Sequence, residues 1–247
     1  MTKEIEGEDL LYKNFAKYYD LLYSKILDHE KVAKTVTELI RKYNRSGGIE
    51  LLDVGCGTGK DLLYLKNKFN CTGIDLNAEM LGVAKKGVRG VRFLKGDMQN
   101  FNLHKKFDIV LSLGSVIGYA KTYANLNKTI KNISKHLKSG GVTIIEPWIE
   151  KKNFTSGYVG MDTYDSKNLK LARVSYSKVK GNTSVIEFGF LIAEKNKGIT
   201  YLKDRGVDGL FSDEKTLKIM KDAGLNALVV KGIKGAYRNK YLVGMRD

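Results

Sequence analysis

Three clustered glycines and two separate aspartates are the residues whose types and spacing suggest ligand chemistry. Gly55, Gly57 and Gly59 follow a short apolar run, and glycines let the backbone turn sharply and lie against a ligand without a Cβ in the way. Asp75 follows about twenty residues after the first glycine, where a carboxylate can accept hydrogen bonds from ribose hydroxyls. Asp97 ends another apolar run and can accept a hydrogen bond from an adenine amine.

The glycine spacing argues against two common nucleotide sites. A dinucleotide fingerprint has the pattern G-x-G-x-x-G, whereas the third glycine here is Gly59 and the next residue is Lys60. A phosphate-binding loop needs Gly-Lys followed by Ser or Thr, and that sequence is also missing. The remaining pattern fits a ligand that has ribose and adenine but no pyrophosphate. S-adenosylmethionine is such a molecule.

Alternating strand and helix patterns are expected to position these residues. Strands are predicted over 49–54, 72–75, 91–95, 107–113 and 142–146. Helices are predicted over 32–43, 61–69 and 78–86, with a fourth that contains Leu126 to Leu137 and stops at Gly140-Gly141. This alternation predicts an α/β fold with a doubly wound, mostly parallel sheet of seven strands, covered by helices on both faces.

The pattern changes after Pro147, the single proline of the chain. Apolar residues then alternate with polar or small ones over 172–176 and 186–192, with a Gly181-Asn182 turn signal between them. We therefore predict an antiparallel β insert over 151–211, after the fifth strand, that contributes to the substrate site. Residues 1–150 and 212–247 form the predicted core, which closes with a helix capped by Ser212 and strands over 225–230 and 237–245.

Composition limits the class of protein. With 247 residues, 43% hydrophobic and 28% charged, the chain is expected to form a folded core. Two cysteines and three histidines show no disulfide or metal-ligand spacing, so no metal is expected. The charged start and the lack of an apolar run of about 20 residues favour a cytoplasmic protein without a membrane segment. A net charge of +16 favours an anionic partner, either nucleic acid or a phosphorylated metabolite.

The motif series resembles that of the class I S-adenosylmethionine-dependent methyltransferases. The resemblance rests on 51–59, Asp75, 96–98 and 107–110, and it covers about 49–146. It implies a Rossmann-like fold with the glycine turn against the aminoacyl part of the cofactor, Asp75 on the ribose and Asp97 on adenine. The full set of expected cofactor-binding residues is Tyr19, Asp53, Gly55, Cys56, Gly57, Thr58, Gly59, Asp75, Leu76, Met80, Asp97, Met98, Leu113 and Gly114.

A narrower resemblance covers nearly the whole chain. Segments 16–23, 114–119, 146–148, 154–159, 172–175 and 243–246 are similar to the N,N-dimethyltransferases that act on nucleotide-linked amino sugars in macrolide biosynthesis. The resemblance implies methylation of an amine on a small molecule, one that carries phosphate. Methyl transfer is an in-line displacement, so we expect positioning of the amine to be the main catalytic contribution.

Four side chains are candidates for the acceptor site, and a fifth closes over the cofactor. Tyr119 follows the fourth predicted strand and can orient the amine, while Tyr19 lies on an N-terminal helix that can cover the cofactor; both are predicted catalytic residues. Trp148 can stack on a flat ring. Arg173 and Arg238 can bind a diphosphate, because the planar guanidinium matches phosphate geometry.

Two other functions stay open at this point. The basic charge is compatible with an RNA or other macromolecule methyltransferase, and nucleic acid is therefore a possible but not favoured partner. A cofactor-binding protein without catalysis is the second alternative. The sequence predicts a monomer or a homodimer.

Overall fold

A computed structural model describes residues 3–13, 15–23, 27–231 and 240–247. The described helices are α1 Ala16–Tyr23, α2 His29–Tyr43, α3 Lys60–Leu65, α4 Ala78–Gly87, α5 Tyr123–Lys135 and α6 Asp213–Asp222. The described strands are β1 Lys3–Glu6, β2 Glu50–Val54, β3 Asn70–Asp75, β4 Arg92–Lys95, β5 Phe107–Ser112, β6 Leu137–Ile145, β7 Val159–Asp165, β8 Leu169–Lys180, β9 Thr183–Glu194, β10 Gly198–Gly209, β11 Leu225–Lys231 and β12 Lys240–Arg246. Among these residues, none of the helices is both long enough and apolar enough to cross a membrane.

The seven-stranded sheet has the order β11-β12-β6-β5-β2-β3-β4. Its central strands are parallel, and β12 runs antiparallel to both of its neighbours. Successive residues of β2 point to opposite faces, so that Leu51 packs with α2, α3 and α4 while Leu52 packs with α5 and α6. The predicted doubly wound fold is confirmed, and its order of strands brings the carboxyl ends of β2, β3 and β5 to one edge.

The helix before β6 ends earlier than the sequence predicts. We predicted that it contains Leu137 and stops at Gly140-Gly141, whereas α5 ends at Lys135 and Leu137 begins β6. The prediction was wrong because Leu137 continues the four-residue spacing of Ile133, and spacing alone does not separate a helix end from a buried strand start. The register between β5 and β6 shifts after Phe107.

A second sheet has the order β1-β10-β9-β8-β7. Strands β7 to β10 form an antiparallel meander within the predicted insert, and Gly181 has the positive φ of 62° that a tight turn between β8 and β9 requires. Strand β1 pairs in parallel with β10. Residues 3–6, which we predicted with the core, are therefore joined by hydrogen bonds to the second sheet. The sequence did not indicate this strand, because a period-two pattern over four residues is too short to recognise.

The N-terminal segment also packs on the second sheet. Leu11, Phe15 and Leu22 belong to a separate apolar cluster with residues of β8, β9 and β10. Asp204 of β10 accepts hydrogen bonds from the backbone N–H groups of Leu10 and Leu11, both at 3.0 Å. This places the start of the chain between the insert and the carboxyl edge of the core sheet.

An ion pair between α2 and α3 makes a pH-dependent contribution to stability. His29 Nδ1 lies 2.8 Å from Asp61 Oδ1. Burial alone lowers the pKa of His29, but the hydrogen bond and charge of Asp61 outweigh it, so the pKa lies above its ordinary value of 6.5. A histidine whose pKa is higher in the folded state stabilises the fold at a pH below its unfolded-state pKa, and this stabilisation is lost as the pH rises through its folded-state pKa. We therefore expect His29→Gln to destabilise the protein more at about pH 5.5 than at about pH 8.5. Urea unfolding at both pH values measures this, and an equal loss at the two would contradict it.

Candidate active site

A cleft opens at the carboxyl edge of β2, β3 and β4. This cofactor cleft has a volume of about 320 Å³. It is lined by Asp9, Tyr12, Lys13, Tyr19, Gly55, Gly57, Asp75, Leu76, Asn77, Met80, Gly96, Asp97, Met98, Gln99, Gly114, Val116, Tyr119 and Lys121. The structure thus brings the glycine turn and both aspartates to one cleft.

Asp75 is fixed at the end of β3 by backbone donors. Its Oδ2 accepts a hydrogen bond from Gly57 N at 2.9 Å, and its Oδ1 accepts one from Asn77 N at 2.8 Å. Burial raises the pKa of Asp75, although these backbone hydrogen bonds oppose the shift. Each carboxylate oxygen has a second lone pair, so the group can still accept hydrogen bonds from a vicinal pair of hydroxyls.

The glycine turn has no room for side chains. Gly55, Gly57 and Gly59 have φ values of 78°, 53° and 74°, a region that residues with a Cβ rarely adopt. A Cβ at Gly55 would lie 2.4 Å from Val116 Cγ1, and one at Gly59 would lie 2.9 Å from Phe93 Cζ. The turn therefore presents bare backbone to the cleft and packs closely against its neighbours.

The opposite wall of the cleft is more apolar. Met80 is buried, Met98 is half-buried and Leu76 is exposed. Asp97 accepts a hydrogen bond from Gln99 N at 2.9 Å, which fixes the turn after β4. Apolar walls next to a carboxylate suit a flat ring that carries an amino group.

Several predicted cofactor residues support the cleft without lining it. Asp53 and Leu113 are buried, and burial raises the pKa of Asp53 well above its usual range. The hydroxyl of Thr58 donates a hydrogen bond to Asp20 Oδ1 at 2.6 Å, which ties the turn to α1. Cys56 packs against β3, where a Cβ at Gly73 would lie 2.8 Å from its sulfur. Gly59 caps α3.

A smaller cavity adjoins the cofactor cleft. This acceptor cavity has a volume of about 90 Å³. It is lined by Asp9, Leu11, Tyr12, Tyr19, Tyr23, Leu27, Gly114, Ser115, Tyr119, Trp148, Ile186, Phe188, Asp204, Arg205, Gly206 and Asp208. The two cavities share Asp9, Tyr12, Tyr19, Gly114 and Tyr119, so a group that bridges them passes between tyrosine rings.

Tyrosines form the passage between the cavities. The hydroxyls of Tyr12 and Tyr119 lie 2.6 Å apart, and their rings meet edge to face. Tyr19 contacts both Tyr12 and Tyr23 through its ring. Burial raises the pKa of Tyr12 and of Tyr119 well above the usual range, so both hydroxyls stay protonated at neutral pH. They can donate or accept hydrogen bonds, but a protonated tyrosine hydroxyl is a poor general base.

The turn that carries Tyr119 is held by the segment after β6. Gly114 N donates a hydrogen bond to Glu146 Oε2 at 2.8 Å, and Ser115 Oγ donates one to Pro147 O at 3.1 Å. Ser115 and Lys121 flank the short 3-10 helix with φ values of 63° and 61°. Such strained positions persist only where surrounding contacts determine them, and the Glu146-Pro147 segment supplies two of those contacts.

The predicted acceptor-site residues divide into three cases. Tyr119 and Trp148 line the acceptor cavity, and their roles toward a substrate stay predictions. Arg173 does not line it: its guanidinium is buried and donates hydrogen bonds to Asp162 and to Tyr23 Oη. Arg238 lies outside the described residues.

Sequence reasoning missed most of the acceptor cavity. Asp9, Asp204, Arg205 and Asp208 were not singled out, because they lie in the N-terminal segment and in β10 with no recognisable motif. Glu146 was noted only as part of segment 146–148. An acidic residue at the end of a strand was the signal that could have identified it as a site residue. In the described part of the chain, His, Cys, Asp and Glu side chains form no group of three or more that would hold a metal ion.

The sheet order, the glycine turn and the shared cleft define a class I S-adenosylmethionine-dependent methyltransferase. The family description "Methyltransferase domain" matches residues 51–141. A dTDP-3-amino-3,4,6-trideoxy-alpha-D-glucopyranose N,N-dimethyltransferase of Streptomyces venezuelae is 33% identical over 88% of this chain and 92% of its own length. This chain belongs to the same methyltransferase family as that enzyme.

Solved structures agree with this assignment. The crystal structure of Streptomyces venezuelae DesVI has a TM-score of 0.87 and 31% identity, covering 94% of this chain and 98% of that one. SAM-bound CalS10, an amino pentose methyltransferase from Micromonospora echinaspora, has a TM-score of 0.81 and 30% identity, covering 98% and 100% of the two chains. The enzyme class and the cofactor, S-adenosylmethionine, follow from these similarities and from the fit of the cleft.

Proposed function

We propose that this enzyme methylates the amine of a nucleotide-linked amino sugar. The observation that carries the proposal is the small cavity beside the cofactor cleft, which is lined by tyrosines, by Trp148 and by acidic side chains. A primary amine on a sugar ring is compact, and aromatic rings with nearby carboxylates suit a group that becomes cationic. The relatives named above act on amino sugars according to their names.

The cleft residues have defined roles in this proposal. Asp75 binds the ribose hydroxyls, Asp97 binds the adenine amine, and Met80 and Met98 contact the base. The backbone of the glycine turn lies against the aminoacyl part. When bound, S-adenosylmethionine supplies an electrophilic methyl group on a positively charged sulfur.

The acceptor-site residues position the amine and exclude water. Tyr19 and Tyr23 cover the passage, and Trp148 packs on the sugar ring or the base of the nucleotide. Arg205 lines the cavity, is exposed and lies 3.6 Å from Glu8 Oε1 through its Nη1, so we assign the diphosphate to Arg205. Arg238, which lies outside the described residues, stays the second candidate from sequence. Arg173 keeps Tyr23 in place through the hydrogen bond to its hydroxyl, at 3.0 Å.

We expect Tyr119→Phe to lower kcat/KM by about tenfold without abolishing methyl transfer. The hydroxyl orients the acceptor by hydrogen bonding, and a lost hydrogen bond of this kind costs about 1 to 1.5 kcal/mol. Because the pKa of Tyr119 is raised by burial, we expect no change in the shape of the pH profile between about pH 6 and pH 9. Steady-state kinetics of the wild type and the variant check both points; a loss of more than a thousandfold would indicate a proton-transfer role instead.

The acceptor is tested with a panel of compounds and methyl-labelled cofactor. The panel contains dTDP-linked sugars with an amine at carbon 3 or carbon 4, the matching hydroxyl sugars, simple amines and a structured RNA. We expect one or two methyl groups on a nucleotide-linked amine and none on the hydroxyl sugars or the RNA. Transfer to RNA alone, or to no amine at all, would overturn the proposal.

A further inference from the structure

We infer that Asp208 binds the acceptor amine and stabilises the positive charge that develops on its nitrogen. This inference rests on the proposed function and adds a residue to it. Asp208 lies near the end of β10, its side chain lines the acceptor cavity, and it is only 8% exposed. It does not line the cofactor cleft, so its contact is with the acceptor side of the passage.

The position of Asp208 is fixed from two directions. Ser184 Oγ donates a hydrogen bond to the Asp208 carbonyl oxygen at 3.3 Å, and Trp148 Nε1 donates one to Ser184 Oγ at 3.1 Å. On the other side the carboxylate faces the turn that carries Tyr119: a Cβ at Gly118 would lie 2.9 Å from Asp208 Oδ1. The missing side chain at Gly118 therefore provides the space that the carboxylate occupies.

The other acids of the cavity have different tasks. Both carboxylate oxygens of Asp204 accept hydrogen bonds from the backbone of the N-terminal segment, at Leu10 and Leu11. Asp9 belongs to that segment and faces Lys121 and Lys13, whose charges oppose its own. Asp208 lines the acceptor cavity and not the cofactor cleft, and after burial its charge is the next largest cause that raises the pKa of Tyr119. It is therefore the buried carboxylate beside Tyr119 on the acceptor side of the passage.

The charge moves toward this carboxylate during the reaction. The nitrogen lone pair forms the bond to the methyl carbon, and the electron pair of the broken carbon–sulfur bond stays on sulfur. Positive charge thus passes from sulfur to nitrogen, and the methylated nitrogen then releases one proton to solvent. A buried carboxylate next to that nitrogen accepts a hydrogen bond from its N–H and favours the product charge, more strongly than it would in water.

The test compares wild type, Asp208→Asn and the control Asp165→Asn. Asp165 is an exposed carboxylate at the end of β7 in the same sheet. We expect Asp208→Asn to lower kcat/KM for the amino sugar about 100-fold, with cofactor affinity within about twofold of wild type. The control should match wild type in both. Because a carboxylate raises the pKa of a bound amine, the acid limb of kcat should move to lower pH in Asp208→Asn.

A binding measurement gives a readout independent of turnover. With S-adenosylhomocysteine present, calorimetry compares the amino sugar nucleotide with its hydroxyl counterpart. We expect wild type to prefer the amine by about tenfold at pH 7 and Asp208→Asn to lose that preference. An unchanged preference together with an unchanged kcat/KM in the variant would overturn the inference.

A second variant covers the case in which Asp208→Asn does not fold. Gly118→Ala places a methyl group against the carboxylate, and we expect it also to lower the preference for the amine, with cofactor affinity retained. The inference fails if a folded Gly118→Ala variant behaves as wild type. Failure of the proposed function is a separate result, because it requires that the wild type methylates no amine in the panel.

Discussion

Asp75→Ala is expected to weaken S-adenosylmethionine binding by about 100-fold or more. The carboxylate faces the cleft and is held by the N–H groups of Gly57 and Asn77, so it is preorganised to accept hydrogen bonds from two ribose hydroxyls. Hydrogen bonds to a charged group contribute about 1.5 to 3 kcal/mol each, and two of them correspond to at least two orders of magnitude in Kd. Calorimetric titration of wild type and variant measures this loss.

The stability of the variant separates a binding role from a structural one. Burial raises the pKa of Asp75, and a raised carboxyl pKa means that the charged group destabilises the folded state at neutral pH. We therefore expect the Tm without ligand to stay within about 4 °C of wild type. Asp222→Ala, which removes an exposed carboxylate paired with Lys218, is the matched control. An affinity within threefold of wild type would contradict the assignment of Asp75 to the ribose.

Gly55→Ala is expected to lower the Tm by roughly 4 to 20 °C. Its φ of 78° costs an alanine about 1 to 2 kcal/mol, and the added Cβ would lie 2.4 Å from Val116 Cγ1, where overpacking costs about 1 to 3 kcal/mol more. For a chain of this size each kcal/mol corresponds to roughly 2 to 4 °C. Thermal unfolding followed by circular dichroism measures the shift.

Gly90→Ala is the matched control for this effect. Gly90 has the same φ of 78°, but nothing lies within 4 Å of the position of its Cβ, so we expect a Tm loss of only about 2 to 8 °C. The double variant Gly55→Ala, Val116→Ala removes the contact and should be more stable than the two single losses together predict. If the stability losses of the two single variants simply added in the double variant, close packing against Val116 would not explain why position 55 requires glycine.

The cofactor cleft could be predicted from sequence because its determinants are local. The glycine turn, Asp75 and Asp97 each follow a strand directly, and a parallel sheet brings the carboxyl ends of its strands to one edge whatever the details of packing. The same logic identified Tyr119 after β5. Thr58 and Asp53 were predicted to bind the cofactor, but neither lines the cleft: Thr58 donates a hydrogen bond to Asp20, and Asp53 is buried in the sheet.

The acceptor cavity could not be predicted because it is assembled from distant segments. Asp9, Tyr119, Trp148 and Asp208 come from four parts of the chain, and no spacing rule relates them. Arg173 illustrates the limit of residue type as evidence: an arginine suits a diphosphate, but the structure pairs this one with Asp162. Composition indicated an anionic partner without indicating where it binds.

The parallel pairing of β1 with β10 has a consequence for how the protein is made. The hydrogen bond between Leu10 and Asp204 joins residues that are 194 positions apart, so the segment around Leu10 is synthesised long before its partner exists. Closing so long a loop carries a large entropic cost, and contacts of this kind slow folding. The seven-stranded sheet waits even longer, because its strands β11 and β12 follow β10 in sequence. Neither sheet is therefore complete until nearly all of these residues have been synthesised.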